Sequence, residues 1–328
     1  MSDHGSPPAG VATGVGSLPG TDPAEAVALV FDELPDLPHL PELPARGPWA
    51  EMVGRSAALL VDLPVDLQPT GWRMVPRPGR DQRRARDLLA RDLDALQEHA
   101  GEYDGWLKLQ AAGPWTLAAG IELHRGDRVL ADPIAVQDLA ESLAEGLRLH
   151  LADVVGRFPR TTLLLQLDEP SLPAVLAARV PTASGFGTLR GMGEQQVTDV
   201  LRPLRAGLSA ISVGVHCCTA DPPLRLLTDL GVGLSLDLSQ LGTAYDDDLG
   251  SAVEAGLPLH LGVVPAVDGA LPDGPAPVTE LWGRLGFPQE QLASTVVVTP
   301  QCGLAGASPA FARQAMAAAR KLAGQLLD

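Results

Sequence analysis

The sharpest chemical signal in this chain is one histidine and two cysteines. His216 and Cys218 lie in Val213-Gly214-Val215-His216-Cys217-Cys218-Thr219, and Cys302 lies in Thr299-Pro300-Gln301-Cys302-Gly303-Leu304; the protein has 3 cysteines in all. Each segment reads as a short apolar strand that ends at a thiol. One imidazole and two thiolates form a donor set suited to zinc. In extended backbone, residues 216 and 218 project to one side and Cys217 to the other. His216 and Cys218 can therefore grip one ion, with Cys302 supplied by the last strand. Asp237, at the end of the strand after the His-Cys pair, is the best-placed oxygen donor for a fourth position. The bland alternative is a set of core residues, because free cysteine packs as a small hydrophobe. Taken together at strand ends, the three predict a Zn2+ site.

Other polar motifs also follow apolar runs. Gly16-Ser17 offers a backbone N–H and a hydroxyl to a carboxylate, or is an ordinary turn. Asp168-Glu169 in Gln166-Leu167-Asp168-Glu169-Pro170 can hold an ammonium group or act as acid and base. The competing reading is a solvated turn in which Glu169 caps the following helix, since Pro170 starts helices well. Gly113-Pro114-Trp115-Thr116 reads as a plain helix start. The arginine-rich stretch from Arg73 to Arg86 reads as a solvated helix face, and His124, His150 and His260 as structural residues.

These residues need a scaffold that gathers strand ends. Strand-like runs fall at 11–15, 106–111, 162–167, 211–215, 233–238, 259–264 and 295–298, with a less regular extended segment near 66–74. Helical runs alternate with them, several opened by good caps such as Thr21-Asp22-Pro23 and Ser308-Pro309. About eight β/α units predict an α/β fold, a single (β/α)8 TIM barrel, with strands apolar on both faces. In such a barrel the C-terminal strand ends share one mouth. A doubly wound sheet is the competitor, but Gly14-Val15-Gly16-Ser17-Leu18-Pro19 lacks the third glycine and the acidic follow-up of a dinucleotide loop. Residues 1–10 are expected to be a disordered tail and 11–328 the barrel.

Composition narrows the partners. The formal net charge is −16, so no basic surface for nucleic acid is expected. No apolar run approaches the ~20 residues of a membrane span, and no signal core opens the chain. Three cysteines at these spacings are not a disulfide framework. The expectation is a cytoplasmic protein with reduced thiols.

In this order, the motifs resemble the catalytic C-terminal barrel of cobalamin-independent methionine synthase, in the superfamily shared with uroporphyrinogen decarboxylase. The resemblance runs from Gly14-Val15-Gly16-Ser17-Leu18-Pro19 through Gly113-Pro114-Trp115-Thr116-Leu117 and Leu167-Asp168-Glu169-Pro170-Ser171-Leu172 to Pro300-Gln301-Cys302-Gly303-Leu304. It implies zinc held by His216, Cys218, Asp237 and Cys302, with Asp237 a shorter stand-in for the family's usual glutamate. It implies a homocysteine carboxylate held around Val15, Gly16 and Ser17, and an amino group held by Asp168 with a second acid from an early loop, Glu42 or Glu51. The activity implied is methyl transfer to the thiol of homocysteine, giving methionine.

The departures concern the methyl donor. Ser171-Leu172-Pro173-Ala174 lacks the family's folate-contacting acid. Leu117-Ala118-Ala119-Gly120 lacks its folate-site tryptophan. The segment from Gly262 to Asp268 lacks its proton-donating histidine. Methyltetrahydrofolate is the family donor; a methylated corrinoid protein, another thiol acceptor, and a non-catalytic zinc-binding regulatory protein are the alternatives. A porphyrin-type decarboxylase is disfavoured, because a tetra-acidic substrate needs a clearer basic pocket.

Overall fold

A computed structural model describes residues 7–327. Of the expected N-terminal tail, residues 1–6 lie outside the described residues; Gly10 donates its N–H to Ala293 O at 2.8 Å.

The chain forms an α/β fold around a curled parallel sheet of six strands. A hairpin of β1 (Val65–Gln68) and β2 (Gly71–Met74) precedes it. The sheet itself holds β3 (Trp106–Ala112), β4 (Thr162–Asp168), β5 (Ser212–Cys217), β6 (Gly233–Asp237), β7 (Leu259–Val264) and β8 (Val296–Pro300), paired in chain order. Helices lie between successive strands, including Pro114–Gly120, Pro133–Arg157, Glu194–Gly207, Asp246–Glu254 and Ala276–Leu285. Asp22 caps Pro23–Glu33 by accepting from Ala24 N at 2.8 Å. Ser308 caps Pro309–Gly324 by accepting from Phe311 N at 3.2 Å.

Two extended segments flank the sheet. Val298 N donates to Val11 O at 3.1 Å and Thr13 N to Val298 O at 3.1 Å, so residues 11–13 lie along β8. Lys108 N donates to Pro38 O at 2.9 Å and Leu40 N to Lys108 O at 3.0 Å, so residues 38–40 lie along β3. The segments meet where Glu42 N donates to Gly16 O at 3.1 Å and Leu18 N to Glu42 O at 2.8 Å. Each pairing is an isolated bridge rather than a strand ladder. The parallel sheet, expected to have eight regular strands, therefore has six among the described residues. Pro38 and Pro41 remove ladder donors from the second segment, which keeps its pairing short. The extended run near 66–74 is also corrected: it forms the separate β1–β2 hairpin, and 38–42 takes the place beside β3.

The sequence reading of strands apolar on both faces is corrected too. One face of β3 to β7 carries Leu107, Leu109, Leu163, Leu165, Val213, Val215, Leu234, Leu236, Leu259 and Leu261, all in the main apolar core with the helices. The alternate positions are polar and buried: Lys108, Gln110, Gln166, Asp168, His216, Ser235 and His260. Below them, Val11, Leu37, Leu164 and Val297 form a small separate apolar cluster. The concave side of the sheet thus changes from apolar to polar toward the strands' C-terminal ends. This is the period-two alternation of a sheet with two different faces.

Candidate metal centre

His216, Cys218 and Cys302 converge at those C-terminal ends. Their ligand atoms all lie within 4.8 Å of one another. β5 delivers His216 and ends at Cys217, so Cys218 sits on the first turn beyond the strand. Cys302 follows β8 by two residues. Cys217 faces the other way: it is 1% exposed, and its sulfur lies 3.5 Å from Thr219 Oγ1.

The donors suit an ion. The His216 Nδ1 lies 3.0 Å from Ser235 Oγ, while its buried Nε2 has no hydrogen-bond partner. A ring fixed through one nitrogen with the other left free is the arrangement that second-shell partners give to ligating histidines. The Cys218 and Cys302 sulfurs are 3.0 Å apart and both thiols are free. Two thiolates on one tetrahedral zinc stand about 3.8 Å apart, given Zn–S bonds of about 2.3 Å. Small side-chain rotations cover that difference. The shared hydrogen bond from Cys218 and the nearby His216 hold the Cys302 thiol well below its ordinary value, while Cys218 is pushed up. Asp237 is not part of this cluster. Its Oδ1 accepts from Ser239 N at 2.9 Å and Ser239 Oγ at 2.7 Å, capping the turn that follows β6.

A cavity of about 400 Å3 opens beside the cluster and is lined by Val15, Gly16, Ser17, Asp168, His216, Cys218 and Cys302, among others. Every substrate-binding residue expected from the sequence therefore lines this cavity. Glu42 and Glu51, which sequence alone could not separate, both line it as well. Glu42 is buried and Glu51 exposed. Backbone bonds stitch the wall together: Leu304 N donates to Ser17 O at 2.7 Å, tying the Cys302 loop to the Gly16-Ser17 turn. A Cβ on Gly303 would overlap the Ser17 hydroxyl.

Asp168 is aimed from below by residues the sequence reading passed over. Lys108 is fully buried; its Nζ donates to Val15 O at 2.7 Å and Gln166 Oε1 at 2.8 Å. This fixes the Gln166 amide so that Nε2 donates to Asp168 Oδ1 at 2.7 Å and Val15 O at 2.9 Å. Burial lowers Lys108 to about 8, although Asp168 and Glu42 oppose the shift. Burial raises Glu42 to about 7 against the pull of Arg55, and raises Asp168 against His216 and Lys108. Lys108 and Gln166 alternate with Leu107, Leu109, Leu165 and Leu167. A polar residue at every second position within a buried strand was the signal available to find them.

Glu169 has a different job from its neighbour. It does not cap the helix after Pro170. Its carboxylate accepts from Trp115 N at 3.0 Å, Thr116 N at 2.7 Å and Thr116 Oγ1 at 2.8 Å, closing the first turn of Pro114–Gly120 across the sheet. A side chain at Gly113 would collide with it. Burial raises its carboxyl to about 7, although the Thr116 and Trp115 donors pull it down. A folded-state value above the ordinary one means the fold binds this proton more tightly. The contribution is present at low pH and is lost as pH rises from about 4.5 through about 7. Glu169→Gln should flatten that part of the stability profile and cost about 1–3 kcal/mol near pH 5, since its amide turns one acceptor into a donor facing donors. Urea unfolding at pH 5 and pH 8 checks this; an unchanged slope between the two would remove Glu169 from the account.

No family model matches the chain, and no curated protein matches it. Solved structures do. A B12-independent methionine synthase from Shewanella sp. W3-18-1, in complex with selenomethionine, matches with a TM-score of 0.61 and 13% identity over 97% of both chains. A 3-keto-D-glucoside 4-epimerase from E. coli matches 71% of this chain and 86% of its own at 14% identity, with a TM-score of 0.38. Among the described residues, no helix is long and apolar enough to cross a membrane. The first likeness is one of fold: this chain shares the α/β, TIM-barrel-like frame of a B12-independent methionine synthase along nearly its whole length.

Proposed function

We propose that this protein is a zinc-dependent S-methyltransferase that methylates the thiol of homocysteine to give methionine, in a cytoplasmic setting, on a single (β/α)8-type barrel spanning residues 11–328. The observation that carries the reading is the convergence of His216, Cys218 and Cys302 on a cavity also lined by Ser17 and Asp168. Zinc bound there would supply a deprotonated, still nucleophilic substrate sulfur at neutral pH. The protein's own residues do the rest. The Gly16 and Ser17 turn receives the amino acid carboxylate. Asp168, aimed by Gln166, and Glu42, held by Arg55, receive its ammonium. Two anchors fix the substrate backbone so that its sulfur faces the metal ligands, turning an encounter into a positioned attack. Asp237 remains the candidate fourth ligand, reached by giving up its bonds to Ser239.

Asp168→Asn tests the assignment. It removes a charge from a buried ammonium contact while keeping the side chain's shape. Homocysteine affinity should fall by about ten- to a hundred-fold, in line with about 1.5–3 kcal/mol for a hydrogen bond to a charged group. Zinc content should not change. Calorimetric titration with homocysteine alongside metal analysis reads both. Unchanged affinity, or zinc lost in proportion, would refute the role. A non-catalytic zinc-binding protein would take no second-substrate thiol into its metal shell, so X-ray absorption with and without homocysteine separates the two readings.

A further inference from the structure

The methyl donor has its own imprint on the cavity. Three carboxylate residues, Glu42, Glu51 and Asp168, line it, and no lysine or arginine is among the described residues that do. The nearest cations are engaged elsewhere. Lys108 lies beneath the floor on Val15 and Gln166. Arg55 pairs with Asp92 and sits 3.4 Å from Glu42. Once a homocysteine ammonium occupies Asp168 and Glu42, the exposed Glu51 is left at the rim. Beside it stand Pro44, Met52, Val53 and Pro170, a mostly apolar wall. A carboxylate above an apolar wall in an acidic cleft focuses field on a weakly hydrated cation and repels a polyanion.

The leaving group points the same way. Transfer from a tertiary amine, as in a reduced folate, needs an acid to protonate the departing nitrogen. The loop after β7, Pro265 to Asp268, carries no histidine.

We infer that the methyl donor is a small cationic methyl-onium compound, of the sulfonium class, seated between Glu51 and the Met52–Val53–Pro170 wall. This rests on the proposed thiol methylation. In the transfer, the homocysteine thiolate lone pair forms the new S–CH3 bond as the onium S–CH3 bond breaks. The onium sulfur keeps the bonding pair and departs as a neutral thioether. One negative and one positive charge are cancelled, and no proton, oxidant or reductant is needed.

The experiment uses the zinc-loaded full chain. X-ray absorption first establishes whether homocysteine adds a sulfur to the metal shell; failure there sinks the proposed function itself. With that step secured, methionine formation is measured with S-methylmethionine, with trimethylsulfonium, with methyltetrahydrofolate and with methylcobalamin. Turnover with either sulfonium and none with the folate is the expected result. Trimethylsulfonium binding, read by calorimetry on the homocysteine complex, should weaken about five- to ten-fold in Glu51→Gln, with homocysteine affinity unchanged. Turnover with methyltetrahydrofolate or methylcobalamin alone, or no turnover with either sulfonium, overturns the inference. So does sulfonium binding indifferent to Glu51→Gln.

Discussion

Cys302→Ser should strip the protein of zinc. A serine hydroxyl is a weak ligand that stays protonated at neutral pH, so the site falls from two thiolates and an imidazole to one of each. Loss of a second-shell partner typically costs ten- to a hundred-fold in metal affinity. Loss of a first-shell thiolate should exceed that. Ser235→Ala, which only frees the Nδ1 of His216, provides the internal scale. Purified wild type should carry close to one zinc per chain; Ser235→Ala should hold it more weakly against a chromophoric chelator; Cys302→Ser should lose it on gel filtration. Homocysteine should then add no sulfur to any metal shell. The fold should survive, because Cys302 is only half-buried and its loop is tied down by the bond from Leu304 N to Ser17 O. Zinc retained in Cys302→Ser at wild-type affinity would mean that the cluster is a pair of core thiols beside a histidine, and the metal reading would fail.

The metal cluster was the part of the site most legible in the sequence. A His-x-Cys pair at one strand end and a lone cysteine at another are rare side chains in positions that a parallel sheet brings together. Asp168 and Ser17 also follow apolar runs, and the fold brings both to the lining of one cavity. Two things were not. Asp237 follows its strand as a ligand should, yet the serine two residues on gives it a closer partner, and such local side chain-to-backbone bonds are hard to foresee. Glu169 reads from sequence equally as half of an acid pair or as a cap for its own helix, while its reach selects the N–H groups of a helix on the neighbouring strand's connection. Neither set of bonds can be found by judging a carboxylate by its sequence neighbours alone. The second barrel position was obscured for another reason, whereas the first was legible in the run at 11–15. Pro38 and Pro41 break the ladder, so the segment that borders β3 lacks a strand's signature, while the hairpin at 65–74 carries one.

The second large effect lies behind the cavity wall. Arg46 makes a two-pronged pair with Asp92, at 2.7 Å and 2.8 Å, and Arg55 bonds the same carboxylate before reaching Glu42 at 3.4 Å. The side chains of Asp92 and Arg55 are 1% and 5% exposed. Such a network gains little over a well-packed apolar one, because desolvation offsets most of the attraction. Removing one member is different, since it strands the others without a counter-charge. Asp92→Ala leaves Arg46 and Arg55 with Glu42 as the one ion-pair partner they retain among the described residues. The expected cost is about 3–5 kcal/mol, enough to lower the Tm by on the order of 5–10 °C in a chain of this size. Asp92→Asn keeps an acceptor for one guanidinium and should cost less. The damage should also reach the cavity. Arg55 freed from Asp92 swings its charge toward Glu42, the carboxylate assigned to the substrate ammonium, so homocysteine affinity should fall in folded Asp92→Asn while zinc content holds. Differential scanning calorimetry and homocysteine titration read the two consequences separately. A cost below about 1 kcal/mol in Asp92→Ala would place this network with surface ion pairs and remove Arg55 as the support that fixes Glu42.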